Sequence, residues 1–140
     1  MKKLVRIALI LALAAVAPAS WADNLTGITR FLCSSGNVTA CDEDGDCESG
    51  PPYVFNIPMF VEIDVAQKRI GTTKGSGENR TTAITTASRE DGGIVLQGYE
   101  KGNAFSYVID EKTGMLSASV VGNGFNVAFF GVCTPLPKTK

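Results

Sequence analysis

Between Cys41 and Pro52 the chain reads Cys-Asp-Glu-Asp-Gly-Asp-Cys-Glu-Ser-Gly-Pro-Pro, its densest run of groups able to hold a metal ion. The carboxylates of Asp42, Asp44, Asp46 and Glu48 recur at every second position around a glycine, and closely spaced carboxylates on a turn are what calcium takes. The helix–loop–helix calcium pattern does not fit. Counted from Asp42, the sixth position is Cys47 where that pattern needs glycine, and the twelfth is Tyr53 where it needs glutamate. The reading taken is a solvated acidic loop pinned by a Cys41–Cys47 bridge, with calcium as the alternative and no metal site assigned.

Four cysteines, Cys33, Cys41, Cys47 and Cys133, make an even set. In an oxidising compartment an even set reads as two disulfides, with three possible connectivities. Cys41 and Cys47 bracket a tight loop and pair locally, which leaves Cys33 for Cys133. A zinc site is disfavoured because the chain has no Cys-x₂₋₄-Cys pair.

Other chemistries find few residues to use. Without histidine the common serine and cysteine triads lack their base. Paired carboxylates, Glu62 with Asp64 or Asp110 with Glu111, are the remaining acid–base candidates. The first pair falls on the wet face of a strand and the second in a turn, so a hydrolase is the alternative and a non-enzymatic protein the main reading. Gly71-Thr72-Thr73-Lys74-Gly75-Ser76-Gly77 lacks the order and the following helix of a phosphate loop. No cofactor is implied.

The elements that position these groups begin after an export signal. Lys2, Lys3 and Arg6 precede the apolar run from Ile7 to Ala17, and Ser20 and Ala22 place small residues before a cut ahead of Asp23. Residues 1–22 therefore read as a bacterial-type secretory signal peptide, too short in its apolar part to span a bilayer. Periplasm or secretion follows, with no membrane span after signal removal. Of the 13 basic residues three lie in that segment, leaving ten against 14 acidic ones, a net charge of about −4. An acidic chain without a basic patch does not suit nucleic acid. Residues 23–134 are one domain's worth of chain, and 135–140 read as a flexible C-terminal tail.

The domain is all strand. Leu25–Cys33 reads as the first strand, Ser34–Asn37 as a turn and Val38–Cys41 as a short continuation. In Phe60–Val65, Val61, Ile63 and Val65 face one way while Glu62 and Asp64 face the other. Strands over Thr81–Arg89, Ile94–Glu100, Ala104–Asp110, Met115–Val121 and Phe125–Cys133 alternate with turns rich in Gly, Asn and Asp. About eight strands in one antiparallel meander predict a small up-and-down β-barrel, with a two-sheet β-sandwich as the alternative. Pairing of Leu25–Cys33 with Phe125–Cys133 closes it. The aromatics Phe105, Tyr107, Phe125 and Phe129 are read as barrel filling, with a ligand pocket as the alternative.

Cys33 ending an early strand, the Cys41…Asp-Gly-Asp-Cys47 loop, the Pro58–Asp64 strand, Leu96-Gln97-Gly98, Val108-Ile109-Asp110…Thr113-Gly114 and Phe130-Gly131-Val132-Cys133 together resemble a set of small exported bacterial disulfide-containing β-domain proteins of unknown function. The resemblance covers nearly the whole exported part and implies a fold, not an activity. The function expected from the residues is binding, of a small apolar ligand or of an envelope or secreted protein.

Overall fold

The computed structural model describes residues 24–137; the signal-peptide reading of residues 1–22 lies outside them. Ten β-strands form one antiparallel sheet curled into a half-barrel. They are β1 (Arg30–Asp42), β2 (Cys47–Gly50), β3 (Phe60–Asp64), β4 (Arg69–Thr72), β5 (Thr81–Ala83), β6 (Thr86–Glu90), β7 (Gly93–Glu100), β8 (Asn103–Asp110), β9 (Met115–Gly122) and β10 (Phe125–Pro135). Along the sheet the order is β5-β4-β3-β1-β10-β9-β8-β7-β6, with β2 paired to β1 off this path.

The two edges of that path, β5 and β6, are consecutive in the chain. Within the single segment 81–90 the backbone passes from one end of the sheet to the other: the Ile84 N–H donates to the Lys68 carbonyl at the end of β4 (2.8 Å), and the next N–H, of Thr85, donates to Gln97 of β7 (2.8 Å). Counted as one strand, this segment turns the nine-membered path into an eight-membered up-and-down circuit. Closure of this kind leaves few unpaired edge groups to template aggregation.

The turns carry the chemistry that tight antiparallel connections need. Asp91-Gly92 and Lys101-Gly102 each place two residues at positive φ (51° and 79°, 49° and 89°), the requirement of a type I′ hairpin turn. Between β8 and β9, Gly114 sits at φ 69° and donates its N–H to the Asp110 carbonyl at 2.9 Å.

Strand β1 is longer and straighter in sequence than expected. Ser34–Asn37 is not a turn; β1 runs unbroken through it and absorbs the irregularity as a register shift against β10 between Ser35 and Val38. Its first half pairs with β3 and its second half with β2, so one strand serves two neighbours on the same side. Leu25 lies outside the strand. The acidic run is likewise not all loop, because Cys47–Gly50 pairs back on Val38–Cys41. Tyr53 lies in a 3-10 turn over Pro52–Phe55. At the other end, β10 extends to Pro135 and the Leu136 N–H donates to Arg30 (3.1 Å), so the expected tail is ordered in the sheet as far as Leu136.

Both expected bridges are present. Cys33 and Cys133 face each other directly across β1 and β10, with Cα atoms 4.0 Å apart. The Cys133 N–H turns away from β1 to the Gly114 carbonyl (2.8 Å), so the bridge joins a non-hydrogen-bonded pair, the position where side chains approach most closely. Cys41 and Cys47 occupy the equivalent opposed positions in β1 and β2.

Inward-facing residues alternate along the longer strands and meet in one core. Phe31, Ile63, Ile94, Leu96, Ile109 and Phe129 are among its buried members, and each such side chain contributes on the order of 1.5–3 kcal/mol by leaving water. The segment ahead of β1 lies across the end of the barrel that carries the β6–β7 and β8–β9 turns. Leu25 is wholly buried there, its N–H donates to the Glu111 carbonyl, and Arg89 binds the carbonyls of Leu25 and Ile28 together with the Glu111 carboxylate. That end is closed.

Candidate functional site

At the opposite end the half-barrel is open. A cavity of about 300 Å³ lies there, walled by Phe105, Tyr107, Val120, Phe125 and Val127, with Phe55 and Ile57 arching over from the 3-10 turn and the residues after it. Its opening follows from the passage of the chain from β4 to β7 at Ile84 and Thr85. Beyond that point β5 and β7 share no ladder pairs among the described residues, and a side-chain bond spans the gap: the Thr82 hydroxyl donates to Glu100 Oε2 at 2.6 Å.

Two glycines shape the aromatic wall. Gly98 pairs with Phe105 across β7 and β8, and a β-carbon there would lie 2.7 Å from the Ala83 carbonyl oxygen and would collide with the Phe105 ring. Gly122 pairs with Phe125 across β9 and β10, where a β-carbon would collide with the Phe125 ring and sit 2.5 Å from Asn103 Oδ1. Each ring thus lies over a glycine on its neighbouring strand, which leaves room beside it. Phe105 meets Tyr107 edge to face, and Tyr107 meets Phe129 of the core in the same way, with centroids 5.9 Å apart, the arrangement that aromatic quadrupoles favour.

The polar groups of the mouth come from four places. Arg80 donates Nη1 to the Asn56 carbonyl (3.0 Å) and pairs with Glu78 at 3.7 Å. Asn56, the cap residue after the 3-10 turn, takes a left-handed backbone (φ 57°), and its carbonyl accepts from Arg80. Glu100 stands at the end of β7. The Tyr107 hydroxyl has no hydrogen-bond partner among the described residues; burial pushes its phenol up to about 12, against an opposing pull from the Arg80 guanidinium.

Of the aromatics read as filling, Phe129 is core, 2% exposed, whereas Phe105, Tyr107 and Phe125 border the cavity along with Val127. Sequence alternation places all of them inward but does not show how far the barrel interior is filled. Arg80, Thr82 and Glu100 were not singled out from sequence. One signal was present for Glu100: it shares a strand face with Ile94, Leu96 and Gly98, a charge ending an otherwise apolar row.

The expected carboxylate pairs are elsewhere and already engaged. Asp64 shares the outward face of β3 with Glu62 but is not solvated; it is buried, 7% exposed, and it shares Arg30 with Glu62 at 3.6 and 3.8 Å. Asp110 is exposed and accepts hydrogen bonds from the Thr113 hydroxyl and the N–H groups of Thr113 and Lys112, which hold its carboxyl below the usual range. Glu111 is not solvated but pairs with Arg89 at the closed end. Neither pair reaches the cavity. Asp42, Asp44, Asp46 and Glu48 do not converge as ligands: Asp42 Oδ1 instead accepts the N–H groups of Asp44 (3.1 Å) and Asp46 (3.0 Å), and no group of three or more candidate ligands occurs among the described residues.

On the outer face of the sheet a row in register, Phe60–Ser34–Val132–Met115, carries no charge, and its apolar members are 46–64% exposed; Phe130 beside it is 71% exposed. Among the described residues no helix is long and apolar enough to cross a membrane. The chain matches no protein-family model and no curated protein.

Proposed function

We propose that this protein is an exported, disulfide-bridged, non-enzymatic β-barrel that binds a small ligand in its open end. The observation that carries the reading is the cavity of about 300 Å³, with an aromatic and aliphatic wall and a few convergent polar groups, the composition and size of ligand sites in general. One end of the barrel is plugged by Leu25 and the other is not, so a ligand has a single way in and a floor to rest on. The two bridges and the signal-peptide reading of residues 1–22 support the periplasm or the exterior as its location.

A second reading, binding of an envelope or secreted protein, is favoured by the uncharged apolar row on the outer sheet face. Native mass spectrometry of the protein purified from its own source separates the two. A retained small-molecule mass supports the cavity reading. A retained protein mass that disappears in Val132→Asp supports the second, and a bare monomer counts against both.

A further inference from the structure

Of the two charged side chains that line the cavity, Arg80 and Glu100, only Glu100 makes no ion pair among the described residues. Arg80 is answered by Glu78 and by the Asn56 carbonyl. Glu100 receives only the neutral Thr82 hydroxyl at 2.6 Å and has no ion pair among the described residues. A carboxylate accepts several hydrogen bonds. Among the described residues the second Glu100 oxygen receives none and no buried side-chain oxygen is left unpaired, so that oxygen is accessible to whatever occupies the mouth.

Two further observations point the same way. The rings of Phe105, Tyr107 and Phe125 border the same cavity, and the negative face of an aromatic ring attracts a cation. The acidic hairpin flanks the entrance: Asp42 is paired with Phe125, and a β-carbon on Gly124 would lie 3.3 Å from Glu43 Oε2. The loops at this end set the carboxylates of 42–48, Glu78 and Glu100 against only Lys74, Arg80 and Lys101. Such an excess at a cleft with apolar walls concentrates cations and repels anions.

We infer that the ligand is a cationic amine with an apolar or aromatic body, its ammonium group donating to Glu100 and its body lying against Phe105 and Phe125. The inference rests on the cavity being a ligand site. Calorimetric titration of the mature, fully oxidised chain with three probes of one shape, phenethylamine, phenethyl alcohol and hydrocinnamate, tests both. The amine should bind about tenfold or more tighter than the alcohol, the advantage of a charge-assisted hydrogen bond over a neutral one. Glu100→Gln should remove that advantage and leave the alcohol's affinity in place. Raising ionic strength in the wild type, which needs no variant to fold, should weaken the amine selectively. Equal binding of amine and alcohol, or tightest binding of hydrocinnamate, overturns the amine assignment and leaves the cavity reading intact. No binding by any of the three overturns both.

Discussion

Removing the Cys33–Cys133 bridge should cost this protein far more stability than removing Cys41–Cys47, and the difference follows from loop length. The first bridge closes a separation of 100 residues and the second a separation of 6. In the chain-entropy account, cross-linking lowers the entropy of the unfolded chain by about 2.1 + 1.5R ln n cal/mol/K. That gives about 4.7 kcal/mol at 25 °C for the long loop and about 2.2 kcal/mol for the short one, a difference of about 2.5 kcal/mol. Packing adds in the same direction, because Cys33 and Cys133 are 0% and 1% exposed whereas Cys47 is an exposed residue. The double variants Cys33→Ala/Cys133→Ala and Cys41→Ala/Cys47→Ala should be compared by urea unfolding. The comparison belongs in ΔG, not in midpoint alone, since freeing the long loop lets the denatured chain expand and raises the m-value. Equal losses, or a larger loss from the Cys41/Cys47 variant, would refute the reasoning that the terminal strands are held by this tie.

Other expectations address the cavity and the plug. Tyr107 binds its proton more tightly when folded, so its stabilising contribution is full below about pH 10 and declines as pH rises through about 12, by about 3 kcal/mol in all. In a Tyr53→Phe/Tyr99→Phe background Tyr107 is the only tyrosine of the three, and its phenolate absorbance should appear near pH 12; appearance near pH 10 would contradict its burial. Gly98→Ala should force the Phe105 ring into the cavity, lower stability by about 1–3 kcal/mol as overpacking does, and weaken probe binding, and wild-type behaviour in both assays would contradict the collision at this site. Arg89→Ala leaves the Glu111 carboxylate and the Ile28 carbonyl without the guanidinium donor, while the Leu25 carbonyl keeps the Ile28 N–H. A loss of about 2 kcal/mol is expected for this partly exposed cluster, with faster amide exchange at Leu25 and Ile28 before any other core segment; unchanged exchange there would show that Arg89 does not hold the plug.

The strands of the second half were legible because their signals are local. Leu116 and Ala118 alternate with Ser117 and Ser119, and Asp91-Gly92, Lys101-Gly102 and the glycine at 114 specify their turns by backbone conformation alone. The first half misled where local signals oppose a long-range partner. Ser34, Ser35, Gly36 and Asn37 are turn formers, yet pairing with β10 draws them into a bulged strand. Asp64 alternates as a wet residue, yet Arg30 on the neighbouring strand balances its charge and lets it be buried.

By itself, then, the sequence determined the all-β class and the antiparallel meander of the second half and pointed to the cysteine pairing, since period-two alternation, turn chemistry and an even cysteine count act over short spans or by elimination. Only the tertiary structure decided that one end of the barrel is plugged and the other open, that Phe105 and Phe125 border space instead of filling it, and that Glu100 stands in the mouth without an ion pair among the described residues. Those properties depend on where the segment 81–90 passes from β4 to β7 and on which side chains meet across strands far apart in sequence. No periodicity within a single strand encodes them.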